Sequence, residues 1–123
     1  MTPDEVLVYE LQPDIARAYL KRAIHGPGVD AVLDDIRAAV EVRLASTIDD
    51  GKRAVLALEC CLDRELPEHT LLGWVEFDAN VGLVDSSDAG ARAWLEQLVT
   101  DLRDALGPYA PPPRGTHQLD RRR

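Results

Sequence analysis

Residues 88–106 carry the most regular hydrophobic pattern in this chain, and the pattern predicts a long amphipathic helix. Ser86, Ser87 and Asp88 come just before it and offer side chains that cap a helix N-terminus. Gly107 ends the pattern and Pro108 prevents its continuation. Apolar residues recur every three or four positions, which places them on one helix face: Ala91, Trp94, Leu95, Leu98, Val99, Leu102 and Leu106.

Two shorter helices are predicted in the first third of the chain. Residues 14–25 follow Pro13, which suits a first helical position, and Gly26 is placed to stop them. Residues 29–44 have one apolar stripe with charged residues on the other faces. A short segment before these helices, residues 5–11 (EVLVYEL), predicts a β-strand.

The middle of the chain predicts a three-stranded antiparallel meander. Residues 70–77 (TLLGWVEF) are typical of a strand, and residues 81–84 form the returning strand after a hairpin loop at Asp78-Ala79-Asn80. The first strand of the three is residues 53–62, which follow a turn over residues 47–52.

Residues 53–62 support two interpretations. As a strand they alternate cleanly, and the preceding Asp50-Gly51 is a turn signal. As a helix they align Val55, Leu58 and Leu62 in one stripe, and their alanines and leucines favour that state. We favour the strand.

These elements predict one α+β domain over residues 1–107: a short N-terminal strand, two helices, the meander and a long C-terminal helix. Residues 108–123 are a proline-broken basic tail, which we expect to be disordered. The two parts differ in charge, since the domain has ten Lys+Arg against 21 Asp+Glu, a net of −11. The tail has four arginines against one aspartate, a net of +3.

The negative charge of the domain limits the classes of partner. Nucleic acid is disfavoured because binding to phosphates needs clustered Lys and Arg, and anionic membranes are disfavoured for the same reason. A basic protein partner is favoured because the field would speed encounter with it. The tail arginines are candidates for contact with an acidic surface: Arg114, Arg121, Arg122 and Arg123.

Cysteine usage and the N-terminus indicate a cytoplasmic protein. Cys60 and Cys61 are adjacent, a spacing that seldom reaches disulfide geometry, so we expect two reduced thiols, one buried and one on the opposite face. The acidic start of the chain is unlike a secretory signal. Arginine is far more frequent than lysine, and alanine, aspartate, glycine and proline are common, a composition that suggests a bacterial or phage origin.

No motif in the sequence predicts catalysis, a metal site or a cofactor. His25, His69 and His117 are isolated, and no Cys-x-x-Cys spacing occurs. Ser86-Ser87-Asp88 has residue types used in nucleophilic catalysis, but helix capping accounts for all three.

Two groups of residues are candidates for binding a partner. In the predicted sheet, Leu72 and Trp74 face one way, while Leu71, Val75 and Phe77 face the other, so both faces are partly apolar. Either helices cover both faces, or one face is left for a partner or a second subunit. The hairpin and the following cap gather four carboxylates near one end of the sheet: Glu76, Asp78, Asp85 and Asp88. They form an acidic patch for a basic partner or a weak divalent-ion site, or they serve only as turn and cap residues.

Three functions are compatible with these features. The first is a non-enzymatic binding module, such as a small acidic inhibitor, an immunity-type factor or an accessory subunit, that acts through its acidic surface on a basic protein. The second is a structural homodimer or assembly component closed through the Leu72/Trp74 sheet face. The third is a small enzyme that uses carboxylates with a divalent cation. We favour the first.

Overall fold

The computed structural model describes residues 12–112, and throughout that range the protein is helical, with irregular connections. The α+β prediction is therefore wrong: no residue from 12 to 112 belongs to a strand, and the meander does not exist. The predicted strand at residues 5–11 and the tail beyond residue 112 lie outside the described residues.

Five helices follow one another along the described chain. The described part of α1 covers residues 12–24, and its last turn, Leu20–Ile24, is π-helical. Helix α4 consists of an α-helical turn and the π-helical turn that continues it. The remaining bounds are α2 Val29–Val42, α3 Ala45–Leu62, α4 Thr70–Gly73 with Trp74–Asp78, and α5 Asp88–Leu106, followed by a 3-10 turn at Gly107–Tyr109.

Helix α5 confirms the strongest sequence prediction and lies at the centre of the fold. It packs against α2, α3 and α4, and its Leu95, Leu102 and Leu106 are fully buried. The Ser87 hydroxyl accepts a hydrogen bond from the Gly90 N–H at 3.2 Å, which caps the first turn as predicted. Gly107 ends the helix with a φ of 56°.

The predictions of α1 and α2 are also confirmed, with one change at the end of α2. The helix stops at Val42 because Arg43 adopts a left-handed conformation with a φ of 56°. Leu44, predicted in the core stripe, is instead the residue before α3 and is 50% exposed.

Helix α3 shows that the strand interpretation of residues 53–62 and the turn over residues 47–52 were wrong. Its buried residues follow helical spacing from Ile48 through Leu58 to Cys61. Gly51, which looked like part of a turn, lies inside the helix and faces α5: a Cβ there would be 3.3 Å from Leu106 Cδ2. The glycine is thus a packing residue that lets two helices approach closely.

Helix α4 replaces the predicted strand and hairpin at residues 70–84. Its buried residues are Leu71, Trp74, Val75 and Asp78, a spacing of three, one and three that defines one face of a helix. Residues 79–87 connect α4 to α5 without regular structure.

The chain stays attached to the body after α5 ends. Pro111 is buried, and its carbonyl oxygen accepts a hydrogen bond from Arg103 Nη1. Arg103 Nε also donates to Glu59 Oε1 at 3.1 Å, so one guanidinium joins α3, α5 and residues 107–112. Packing against the helices therefore continues to Pro111.

Candidate functional site

The four carboxylates predicted to form an acidic patch lie at the α4–α5 connection, but each has its own local partner. Glu76 Oε2 accepts a hydrogen bond from the Ser86 hydroxyl at 2.8 Å. Asp85 Oδ1 accepts one from the Ser87 hydroxyl at 2.7 Å. These two bonds shape the connection and leave the charges of both carboxylates at the surface.

Asp78 points inward rather than toward solvent. It is 7% exposed, and its Oδ2 lies 2.9 Å from Arg17 Nε, while its Oδ1 lies 3.8 Å from Lys21 Nζ. The pairing compensates the burial of a charge. Asp78 therefore binds α1 to α4, and it is not part of an exposed patch.

Asp88 caps the beginning of α4 from the first turn of α5. Its carboxylate accepts hydrogen bonds from the His69 N–H at 2.7 Å and the Leu72 N–H at 3.2 Å. The bond from the His69 amide lowers the pKa of Asp88, because it favours the charged carboxylate. The arrangement satisfies two amides at a helix start that has no cap of its own.

The apolar residues predicted to form an exposed sheet face are placed differently. Trp74 belongs to the core and is 6% exposed, and Leu72 is partly buried against that core. The exposed apolar residues of this region are Phe77, 80% exposed, and Val84, which is fully exposed. The helical spacing of Leu71, Trp74 and Val75 was the signal that could have placed Phe77 off the buried face.

The described surface is strongly acidic. Residues 12–112 contain eighteen Asp+Glu and ten Lys+Arg, and at least five of those ten cations lie within 4.0 Å of a carboxylate: Arg17, Lys21, Arg22, Arg37 and Arg103. The exposed carboxylates outside the pairs described so far include Asp14, Asp30, Asp35, Glu41, Asp49, Glu65, Glu96 and Asp104.

Helix α2 carries a regular array of acidic side chains on its solvent side. Asp30, Asp34 and Glu41 lie on its solvent side, opposite the buried stripe of Val32, Leu33, Ile36 and Ala39. The helix carries four carboxylates and one arginine, Arg37, whose Nη1 lies 3.2 Å from Asp34 Oδ1. The solvent side of α2 is therefore net negative.

A cleft of about 550 Å³ lies between the end of α3 and the start of α5. Residues of both signs line it, including Asp63, Glu65, Arg64 and Arg92. Arg92 Nη1 donates a hydrogen bond to the Leu62 carbonyl at 2.7 Å and so holds the α3–α4 connection against α5. The mixed charges that line the cleft favour neither an anionic nor a cationic ligand.

Both cysteines are buried, which corrects the prediction that one lies on an opposite face. Cys60 is 4% exposed and Cys61 is fully buried in α3. Burial raises the pKa of the Cys61 thiol to about 11, so it stays protonated and unreactive at neutral pH. Both are free thiols.

The described residues bring together no group of three or more His, Cys, Asp or Glu side chains that could hold a metal ion. Nor does any helix between residues 12 and 112 have the length and apolar character needed to cross a membrane. The tail arginines Arg114 and Arg121–Arg123 lie outside the described residues. No protein-family model, curated protein or solved structure matches this chain.

Proposed function

We propose that this chain is a non-enzymatic protein-binding module whose acidic surface engages a basic protein partner. The observation that carries the proposal is the imbalance of surface charge: at least eight exposed carboxylates lie outside the local pairs, while at least half of the cations in residues 12–112 already contact carboxylates. Such a surface attracts a positively charged protein and speeds its encounter.

The solvent side of α2 is the part of this surface that a partner would meet as a rigid array. Asp30, Asp34 and Glu41 are spaced at four and seven residues, so they form one line along the helix. A helix held by core packing keeps these charges in fixed positions, which reduces the entropy lost on binding.

The local roles of the other carboxylates support a binding function over a catalytic one. Glu76 and Asp85 each accept a hydrogen bond from a serine, and Asp88 caps α4. A carboxylate that acts as a general base needs access to substrate and a pKa near the working pH. The pKa of Asp88 is lowered, which moves it away from that range.

The experiment is affinity capture from a lysate of the source cells with the full chain, followed by identification of the retained proteins and salt elution. We expect a basic protein that is retained at low salt and released at high salt. The D30N/D34N/E41Q variant, which removes the α2 line of charge, is expected to reduce its retention at least fivefold.

The matched control is E65Q/E96Q/D104N, which removes the same number of exposed carboxylates elsewhere on the surface. It is expected to retain most of the captured protein. Retention that is independent of salt, or a partner that is itself acidic, would contradict the proposal. Equal loss in both triple variants would show that net charge matters and the α2 line does not.

A further inference from the structure

Phe77 and Val84 are the most exposed large apolar side chains in residues 12–112. Phe77 is 80% exposed and Val84 is fully exposed, while the neighbouring Trp74, Val75 and Ala79 are buried. Phe77 is also the chain's one phenylalanine. Exposed aromatic and aliphatic side chains at one place on an acidic protein mark a surface for a partner.

The two side chains belong to one closed loop. The Glu76–Ser86 hydrogen bond of 2.8 Å joins the ends of residues 76–86, and each apolar residue lies within two positions of that bond. Residues 81–84 alternate between core and solvent: Val81 and Leu83 pack against the core, so Val84 points toward solvent. Both exposed side chains thus belong to the segment that the Glu76–Ser86 hydrogen bond closes.

Contacts at both ends hold this loop in place. The Val81 N–H donates to the Val75 carbonyl at 3.0 Å, which closes the first half against α4. Asp85 lies against Gly90 in the first turn of α5, where a Cβ would be 2.9 Å from Asp85 Cβ. Phe77 is therefore exposed because it lies off the buried face of α4, and Val84 is exposed in a connection that is held at both ends.

The charge around the pair defines the chemistry of its partner. Residues 76–86 contain Glu76, Asp78 and Asp85 but no lysine or arginine. Asp78 is paired with Arg17 and also has Lys21 at 3.8 Å, so the negative charge next to the two apolar side chains comes from Glu76 and Asp85. An apolar centre with an acidic rim complements a basic segment that carries apolar side chains.

We infer that the loop of residues 76–86 is a docking element that takes an amphipathic basic segment of a partner protein, with Phe77 and Val84 contacting its apolar side chains. The inference rests on the proposed function and adds to it the apolar contact. Steering by the acidic surface alone would not distinguish apolar from polar basic segments.

The test uses two labelled 14-residue peptides of equal charge, one built from leucine and lysine and the other from glycine and lysine. Fluorescence anisotropy at low salt measures their binding to the full chain. We expect the leucine–lysine peptide to bind at least tenfold more tightly. The F77S/V84S variant is expected to abolish that difference and to leave glycine–lysine binding unchanged.

The matched control is V42S/L44S, which removes two other exposed apolar side chains at the α2–α3 corner and is expected to keep the tenfold difference. The inference is overturned if F77S/V84S keeps it as well, or if sedimentation shows that Phe77 and Val84 mediate self-association. Absence of glycine–lysine binding would count against the acidic-surface function, while the difference between the peptides tests the docking element separately.

Discussion

Asp78 Oδ2 lies 2.9 Å from Arg17 Nε and binds the last turn of α4 to α1 across 61 residues of sequence. Asp78 ends the π-helical turn Trp74–Asp78, and its second cationic neighbour, Lys21, lies in the π-helical turn Leu20–Ile24. Two irregular helical turns thus meet at one buried carboxylate. The exposed Phe77 directly precedes Asp78 in the same π-helical turn.

Asp78→Asn should lower the free energy of unfolding by about 1–2 kcal/mol, because it removes a charge-assisted hydrogen bond from a buried position. The loss stays below that of a fully buried pair since the Arg17 side chain is 45% exposed. Urea denaturation measures it. Asp34→Asn is the control: the Asp34 side chain is 77% exposed, and its pair with Arg37 should contribute less than about 0.5 kcal/mol. Equal losses of unfolding free energy in Asp78→Asn and Asp34→Asn would contradict the stabilising role of the Asp78–Arg17 pair.

Arg103→Lys should also destabilise the fold, by about 1–2 kcal/mol, although it keeps the charge. The planar guanidinium reaches Glu59 and the Pro111 carbonyl together, which a single ammonium cannot reproduce. Hydrogen exchange should be faster at the amides of Gly107, Tyr109 and Ala110 in this variant, since the other residues of 107–112 are prolines without an N–H. Arg53→Lys, at an exposed position of the same protein, should leave both measurements unchanged.

Gly90→Ala should destabilise the protein by about 1–3 kcal/mol through overpacking. Its Cβ would clash with the Asp85 carbonyl oxygen, which is backbone and cannot rotate away. Gly82→Ala is the matched control, since no atom lies within 4 Å of the Cβ position there. Thermal unfolding of the two variants checks the prediction. A Gly90→Ala protein as stable as the wild type would show that the Asp85–Gly90 contact is not maintained.

Stability should fall in alkaline solution because of Tyr19. Burial, followed by the nearby Asp50, raises the pKa of Tyr19 to about 12 from 10.0. The unfolded chain therefore releases this proton first, and stability is lost as the pH rises from 10 toward 12, by up to about 1.4 kcal/mol per pH unit. Denaturation at pH 8, 10 and 11 measures the decline, which Tyr19→Phe should reduce. If the wild type and Tyr19→Phe lose the same stability between pH 8 and pH 11, the prediction is wrong.

Neither cysteine should react with a thiol reagent in the folded protein at pH 8. Both are buried, and the pKa of Cys61 is raised to about 11 by burial. Mass spectrometry after iodoacetamide treatment should find no modification in the native state and two modifications in denaturant. Rapid labelling of the native protein would mean that α3 opens locally.

The pattern of residues along the chain was sufficient to predict α1, α2 and α5, together with the Ser87 cap and the Gly107 stop. In α5 every buried position obeys a single 3.6-residue period, and capping and stop residues stand at both ends. The net negative charge is likewise a property of the sequence. Such signals are local, so no knowledge of neighbouring helices was needed to interpret them.

The helical state of residues 47–62 and 70–78 depends on packing between distant segments, and the local pattern did not predict it. In α3, Asp50-Gly51 resembles a turn signal, but Gly51 lies within the helix, where the absence of a side chain leaves room for Leu106. In α4, apolar residues stand on every face of a short segment, so alternating and helical patterns fit equally well until packing against α5 and α1 selects one. The same packing buried Trp74, turned Asp78 toward Arg17 and left Phe77 exposed. The placement of Phe77 and Val84 therefore follows from contacts between distant segments, whereas the line of charge on α2 follows from a helix that the residue pattern already predicted.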